Sequence, residues 1–315
     1  YIEAYPSVIA VASQQRAPPF TFRRVAITID SCARDTESTR HDSQPPTLSL
    51  LRLLPACHVA IGRLRSPSLR EMPLSTSRGR PGPLTLLHTA DLHVGSDDYA
   101  QEALLGLDNV IRAAQDASVD AVLIAGDLFD SGRVPPDVIS YVFDSLADLA
   151  RPVVLLPGNH DTLLTSDSLP IPKLPDNVRM IREHEGELVT LPELNLGVWG
   201  RPVYDHAPDF HPLAGFHPRP DGLWYVAMAH GLVMDGSTGL SRSSPIQPEE
   251  LATADCDYIA LGHVHRFRDV TRGNTLAFYS GAPSGTRTPT VALVTMDPWS
   301  GVSALEHSLP YPSTG

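Results

Sequence analysis

From residue 84 to residue 156 the chain alternates between two apolar spacings. Residues 84–90 (Leu-Thr-Leu-Leu-His-Thr-Ala) form a short apolar run, the pattern of a buried strand. Residues 99–117 place Ala103, Leu104, Leu107, Val110, Ile111 and Ala114 three and four apart, which predicts an amphipathic helix. Residues 119–125 predict a second strand. Pro135-Pro136 opens a second helix running to about residue 150, with Val138, Ile139, Val142, Phe143 and Leu146 along one face. Residues 153–156 predict a third strand, stopped by Pro157-Gly158. Strand, helix, strand, helix, strand at this spacing predicts parallel strands joined by right-handed crossovers, an arrangement that collects ligands at the strands' carboxyl ends. Four later runs, 224–229, 258–261, 276–279 and 290–296, also read as strands, and the last two are expected to complete a second sheet. Residues 298–315 read as a tail.

Residues 1–83 have no such pattern. They hold 10 Pro and 10 Ser without period, and one short apolar run at 48–54. The first methionine is Met72, so residues 1–71 are expected to be an upstream extension of the reading frame, with a natural start near Met72. The divisions expected are an extension over 1–83, one domain over 84–297 and the tail over 298–315.

Composition narrows the class. At 42% hydrophobic and 19% charged, the chain is neither collagen, coiled coil nor wholly disordered. No apolar run is long enough to cross a bilayer, so no membrane partner is expected. Cys32, Cys57 and Cys256 are an odd number without a pairing pattern, which points to a reducing, cytoplasmic setting. Charge is uneven. Residues 1–83 carry 11 Arg against 6 acidic residues, whereas residues 84–315 carry 13 basic against 30 acidic. Such an acidic body suits a protein that grips duplex DNA poorly by itself, because neutralised phosphates supply most of that affinity.

The candidate chemistry sits where the strands end. The first strand ends in Asp91-Leu92-His93, the second in Gly126-Asp127, and the third in Gly158-Asn159-His160-Asp161. The run at 224–229 ends in His230-Gly231, and that at 258–261 in Gly262-His263-Val264-His265. Singly, each Asp, Asn or His would be an ordinary turn or cap residue. Five in order, at successive strand ends, describe a metal-binding edge. His88 lies within a strand and is expected in the core. His184, His206, His211 and His217 fall in polar or Pro-rich loops, and Cys256 is expected to be packed.

This ordered set resembles the calcineurin-like metallophosphoesterases over about residues 84–297. The wording His-Thr-Ala-Asp-Leu-His, Ala-Gly-Asp-Leu-Phe-Asp and Leu-Gly-His-Val-His is most similar to the DNA repair exonuclease branch, the SbcD-type nucleases. The resemblance implies an α/β fold, a four-layer α/β/β/α sandwich of two mixed sheets, with a dinuclear metal site at the strand ends. It implies Asp91, His93, Asp127 and His265 around a first metal, and Asp127, Asn159, His230 and His263 around a second. Mixed carboxylate, imidazole and amide donors suit transition metals, Mn(II) foremost, with Fe or Zn as alternatives. The implied activity is hydrolysis of phosphodiesters by a metal-bridging hydroxide, with His160 protonating the leaving oxygen or stabilising the transition state and Asp161 orienting it. The substrates implied are nucleic acid ends or single strands; a nucleotide or other small phosphoester is the alternative on the same site. Asp130 lies nearby but is not counted as a ligand. Arg133, Arg266 and Arg268 flank the motifs as candidate phosphate contacts that read equally well as surface residues. The Pro- and His-rich insert at 201–221 is the expected source of substrate selection. Full-length nucleases of this branch add a capping domain and a segment that binds an ABC-type ATPase. Fifty residues follow His265, too few for another domain, which leaves the ABC-type ATPase partner and the duplex-end specificity in doubt.

Overall fold

The computed structural model describes residues 81–165, 172–204, 207, 209–234 and 244–311. The expectations for residues 1–80 and for His206 lie outside the described residues.

The chain opens with β1 (Leu84–Thr89), α1 (Ala100–Asp116), β2 (Ala121–Ala125), α2 (Pro136–Asp148) and β3 (Val153–Leu156), the alternation the apolar spacing predicts. β2 starts two residues later than the run at 119–125. Val119 is buried but turns, its N–H bonded to the Ala114 carbonyl, and the Asp120 carboxylate accepts the Thr85 N–H at 2.8 Å. There follow α3 (Thr162–Thr165), β4 (Val178–Met180), β5 (Glu187–Leu191), β6 (Leu196–Gly200) and β7 (Trp224–His230). Next come β8 (Leu232–Val233), β9 (Pro245–Ile246), α4 (Pro248–Thr253), β10 (Tyr258–Gly262) and β11 (Phe267–Asp269). The last are β12 (Leu276–Ser280), β13 (Thr290–Asp297) and β14 (Gly301–Ser308).

Two six-stranded mixed sheets result. The first runs β14-β13-β1-β2-β3-β4, with β1 to β4 parallel. The second runs β11-β12-β10-β7-β6-β5, with its four central strands parallel. Strand periodicity sorts the core into layers. Leu87, Val122, Ile124, Val153 and Leu155 face α1 and α2, meeting Leu107, Val110, Val142, Phe143 and Leu146. The alternate residues Leu86, Leu123, Val154 and Leu156 face the second sheet, where Val198, Val226, Met228, Tyr258 and Phe278 lie. The far face of the second sheet, with Tyr225, Ile259, Leu261 and Tyr279, is covered by Leu213, Val233, Ile246 and Leu251. This outer layer is thin, built from α4, the β8–β9 pair and loop residues. The architecture is a four-layer α/β/β/α sandwich. His88 lies between the sheets, its Nδ1 3.0 Å from the Tyr258 hydroxyl, and burial holds it neutral by lowering its pKa to about 3.

Two expectations are corrected. The run at 290–296 does not join the second sheet: β13 pairs antiparallel with β1, Leu84 opposite Met296. The chain crosses between sheets just before it. There Thr290 donates its hydroxyl to the Ser280 carbonyl, and Ser284 donates its own to the Leu92 carbonyl. The tail from 298 onward also contains a strand, β14, paired with β13 from Thr290↔Ser308 to Asp297↔Gly301. It escaped the apolar pattern because it is an edge strand whose outer residues face water; Leu305 is 67% exposed. Beyond it Leu309 is buried, and the Pro310 carbonyl accepts a hydrogen bond from Asn109 of α1.

A chain cut after Asp297 should therefore melt about 5–10 °C lower than the full chain and associate through the bared β13 edge. A scan showing equal melting and a monomer in light scattering would mean the strand is dispensable.

Candidate metal centre

Parallel strands end together. β1, β2 and β3 finish at the same edge of the first sheet, and β7 and β10 at the facing edge of the second. The β1–β2 pairing continues past both strands in a distorted form. Asp91 N–H donates to the Gly126 carbonyl, His93 N–H to the Asp127 carbonyl and Val94 N–H to the Leu128 carbonyl, at 2.9–3.0 Å. The distortion has a visible cost. Of eight non-glycine residues with positive φ among the described residues, four are Asp91, His93, Asp127 and His263. Such conformations are unfavourable for residues with a Cβ and persist only where surrounding contacts enforce them. Glycines make room beside them: a Cβ on Gly126 (φ +95°) would collide with the His230 ring at Nδ1, and one on Gly262 with the Ala125 carbonyl oxygen.

The side chains converge in two groups. In the first, His93 Nε2 is 3.3 Å from His265 Nε2, His265 Nε2 is 3.7 Å from Asp91 Oδ1, and His93 Nε2 is 3.8 Å from Asp127 Oδ2. In the second, His230 Nε2 is 3.2 Å from Asp127 Oδ2 and 3.0 Å from Asn159 Oδ1. Asp127 Oδ2 belongs to both. His263 donates its backbone N–H to both Asp91 oxygens, at 3.1 and 3.0 Å, tying the second sheet to the first. Its ring lies edge-on to His230, centroids 5.2 Å apart.

The tautomers show what these groups fit. A carbonyl can only accept, so His230 Nδ1, 2.9 Å from the Ala125 carbonyl, carries the proton. When the ring is neutral its Nε2 lone pair faces two oxygen acceptors; when it is an imidazolium Nε2 donates to Asp127 Oδ2 instead. His93 Nδ1 lies 3.1 Å from Asp130 Oδ1, a close though poorly aligned contact, which again leaves Nε2 to face other acceptors. Lone pairs aimed at one another repel unless something positive lies between them, either a cation or the proton that the raised pKa keeps on His230 Nε2. Spacings of 3.0–3.8 Å match neighbouring ligands around an ion with bonds of about 2.0–2.2 Å. Asp91, His93, Asp127 and His230 are buried, so water cannot relieve the repulsion.

The charges respond accordingly. Burial raises the Asp91 carboxyl to about 7, with the His230 ring opposing and the Asp127 charge adding. Burial also works against the Asp127 carboxylate, but the His230 and His93 rings outweigh it and hold it well below the usual range. His230 is raised to about 9: burial opposes its charge, and the Asp127 carboxylate overcomes it. Burial lowers His93 to about 4 and lowers His265 as well. One carboxylate stays ionised only against one imidazolium while the other drifts toward neutrality; the cluster is short of positive charge.

Asp161 departs from the sequence reading. Its carboxylate does not orient His160. Oδ1 accepts the Phe129 N–H at 2.8 Å, and Oδ2 accepts those of Gly158 at 2.8 Å and Leu128 at 3.3 Å. Fully buried and raised to about 7 by that burial and by Asp127, it ties the loop after β2 to the loop after β3. The residue that touches His160 is Asp130, whose backbone carbonyl lies 3.0 Å from His160 Nδ1 and whose Oδ1 lies 3.8 Å away. His160 is exposed, and its own N–H donates to Asp127 Oδ1 at 2.8 Å.

A cleft of about 390 Å³ opens over these residues. Ser96, Asp98 and Tyr99 form part of its wall, residues that the sequence reading missed. No signal short of the fold marks them, since they lie in the loop between β1 and α1. Arg133, Arg266 and Arg268 are exposed and do not line the cleft. No described residue of the 201–221 insert lines it either. Arg201 is occupied, donating to the His184 and His211 carbonyls and lying 4.9 Å over the Phe210 ring. His184 stacks on Tyr204 at 3.7 Å, and exposed His217 contacts the Pro218 carbonyl. Cys256 is packed, its thiol pushed up to about 12 by burial.

Comparison with known proteins gives the family. The family model for calcineurin-like phosphoesterases matches residues 84–267. The chain is 26% identical over 217 residues to the uncharacterized metallophosphoesterase YhaO of Bacillus subtilis, covering 63% of this chain and 52% of that protein. It is 25% identical over 249 residues to the SbcD component of the SbcCD nuclease of the same organism, covering 64% and 61%. It thus spans about half to three fifths of the length of these relatives. A dimetal phosphatase from Danio rerio superposes with a TM-score of 0.47 at 12% identity, covering 74% of this chain and all of that one. The family match spans more than half of the chain and takes in every strand-end loop that builds the cluster, and the chain belongs to the calcineurin-like phosphoesterases.

Proposed function

We propose that the chain is a metal-dependent phosphodiester hydrolase of the nuclease type. The observation that carries the reading is the buried convergence of potential metal-ligand atoms on two points that share Asp127 Oδ2. In this reading Asp91, His93, Asp127 and His265 hold one divalent ion, and Asp127, Asn159, His230 and His263 the other. Nitrogen and oxygen donors in this mixture favour Mn(II), with Fe or Zn next, over Mg or Ca. Such ions, when bound, polarise phosphate oxygens and lower the pKa of a shared water.

The chain's own residues supply the rest. Asp161 fixes the spacing between the two ligand loops. Asp130 fixes the proton of His160 on Nδ1, because the carbonyl it meets can only accept. The other ring nitrogen, Nε2, is then the atom that exchanges a proton with the substrate. His160 lies in the cleft outside both ligand groups, the place for a general acid toward the leaving oxygen. Nuclease-type substrates are supported by the relative that is a component of the SbcCD nuclease. A small phosphoester is favoured by the excess of 17 acidic over basic residues in 84–315. A gel shift with labelled DNA across a salt series separates the two: nucleic-acid binding should weaken steeply as salt rises.

Two outcomes are expected. Asp127→Ala should carry neither ion by elemental analysis, since both groups share that carboxylate, and a chelator should abolish turnover that Mn(II) best restores. One tightly held ion in the variant would count against the shared ligand. His160→Ala should keep both ions yet lose about 10²–10⁴-fold in turnover of an alkyl phosphodiester. The loss should be far smaller for a p-nitrophenyl ester, whose leaving group needs no proton. Equal losses on both would assign His160 to charge stabilisation instead.

A further inference from the structure

The wall of the cleft, as distinct from its floor, has an unusual composition for a phosphate site. Asp98 and Asp130 contribute carboxylates, and Ser96 and Tyr99 contribute hydroxyls; among the described residues no Lys or Arg lines it. Tyr99 stays neutral: burial, then the Asp130 charge, raises its pKa to about 12. Its ring is backed by the loop before β13, where a Cβ on Gly285 would come within 2.9 Å of it. The wall therefore presents carboxylates and neutral hydrogen-bonding groups to the cleft.

We propose that this wall, with Asp98 and Tyr99 as specificity-determining residues, selects phosphodiesters with a hydroxyl-bearing substituent and rejects phosphomonoesters. The inference rests on the phosphoesterase reading above and adds the substrate's charge. In both substrates water adds to phosphorus, one P–O bond breaks, and the leaving oxygen takes a proton or departs as an anion. They differ in one phosphate oxygen, which carries an ester group in the monoanionic diester and a charge in the dianionic monoester. A carboxylate in the cleft wall repels the dianion more, and the Tyr99 hydroxyl can donate to a sugar oxygen on the diester. A unit charge several ångströms away across a partly wet cleft changes affinity by about threefold to tenfold per substrate charge, and salt screens it.

The test compares wild type, Asp98→Asn and Asp98→Lys, loaded with Mn(II), on p-nitrophenyl phosphate and bis-p-nitrophenyl phosphate. The pH is one at which the monoester is a dianion. The ratio of kcat/KM, monoester over diester, should rise about threefold in Asp98→Asn and about tenfold in Asp98→Lys. Both gains should shrink at about 0.5 M salt. Calorimetric binding of methyl phosphate against dimethyl phosphate should change in the same order, a readout independent of turnover. Asp98 is exposed, so melting temperatures should match wild type and exclude a folding effect. Ratios unchanged in both variants, or gains indifferent to salt, overturn the proposal while leaving the phosphoesterase reading in place. Wild-type protein that turns over neither ester overturns the phosphoesterase reading and this inference with it.

Discussion

A crowd of carboxylate, amide and imidazole groups that needs positive charge at its centre is the constraint around which this molecule is organised. Asp127 Oδ2, His230 Nε2 and Asn159 Oδ1 meet within hydrogen-bond distance, with the His230 ring proton committed to the Ala125 carbonyl on the other side. Only a cation, or a proton on His230 Nε2, relieves that crowding. Here two stacked sheets hold it in place, because their parallel strands end flush and each ending supplies one or two of the donors. Three buried apolar layers provide the rigidity, and the cluster sits where they give out.

That rigidity shows in the backbone. Asp91, His93, Asp127 and His263 occupy left-handed or neighbouring conformations that none of these residues would choose in an open loop. The bonds that enforce them run between loops: Asp91 to Gly126, His93 to Asp127, and the Asp91 carboxylate to the His263 N–H. Strain and convergence are thus one feature. The same sharp turns that aim the donors inward are closed by the donors' own carboxylates and carbonyls.

Two acidic residues outside the ligand groups divide the supporting work. Asp161, fully buried, takes three backbone N–H groups and joins the two loops that carry Asp127 and Asn159. Asp130, at the cleft, meets His93 with its carboxylate and His160 with its carbonyl. An adjacent position in sequence would suggest the opposite assignment, since Asp161 follows His160 directly. A turn separates their side chains, whereas the distorted pairing beyond β1 and β2 brings Asp130 alongside.

The sequence by itself determined the elements whose stability is local. Apolar spacing of two and of three to four marks β1, α1, β2, α2, β3, β7 and β10, and the Asp, Asn and His residues at their ends are legible because a strand end is a local event. Tertiary structure alone decided the pairing of β13 with β1, the strand status of β14, and the partners of Asp130 and Asp161. Edge strands carry a weak apolar pattern, because half of their surface faces water. Sheet membership depends on which buried face a crossing loop reaches, as Ser284 and Thr290 show in the loop before β13. The Asp161 carboxylate takes the Phe129 N–H from 32 positions away, and the Asp127 carboxylate takes the His160 N–H from 33. No local spacing encodes such contacts, since they exist only once the two sheets have brought their ends together.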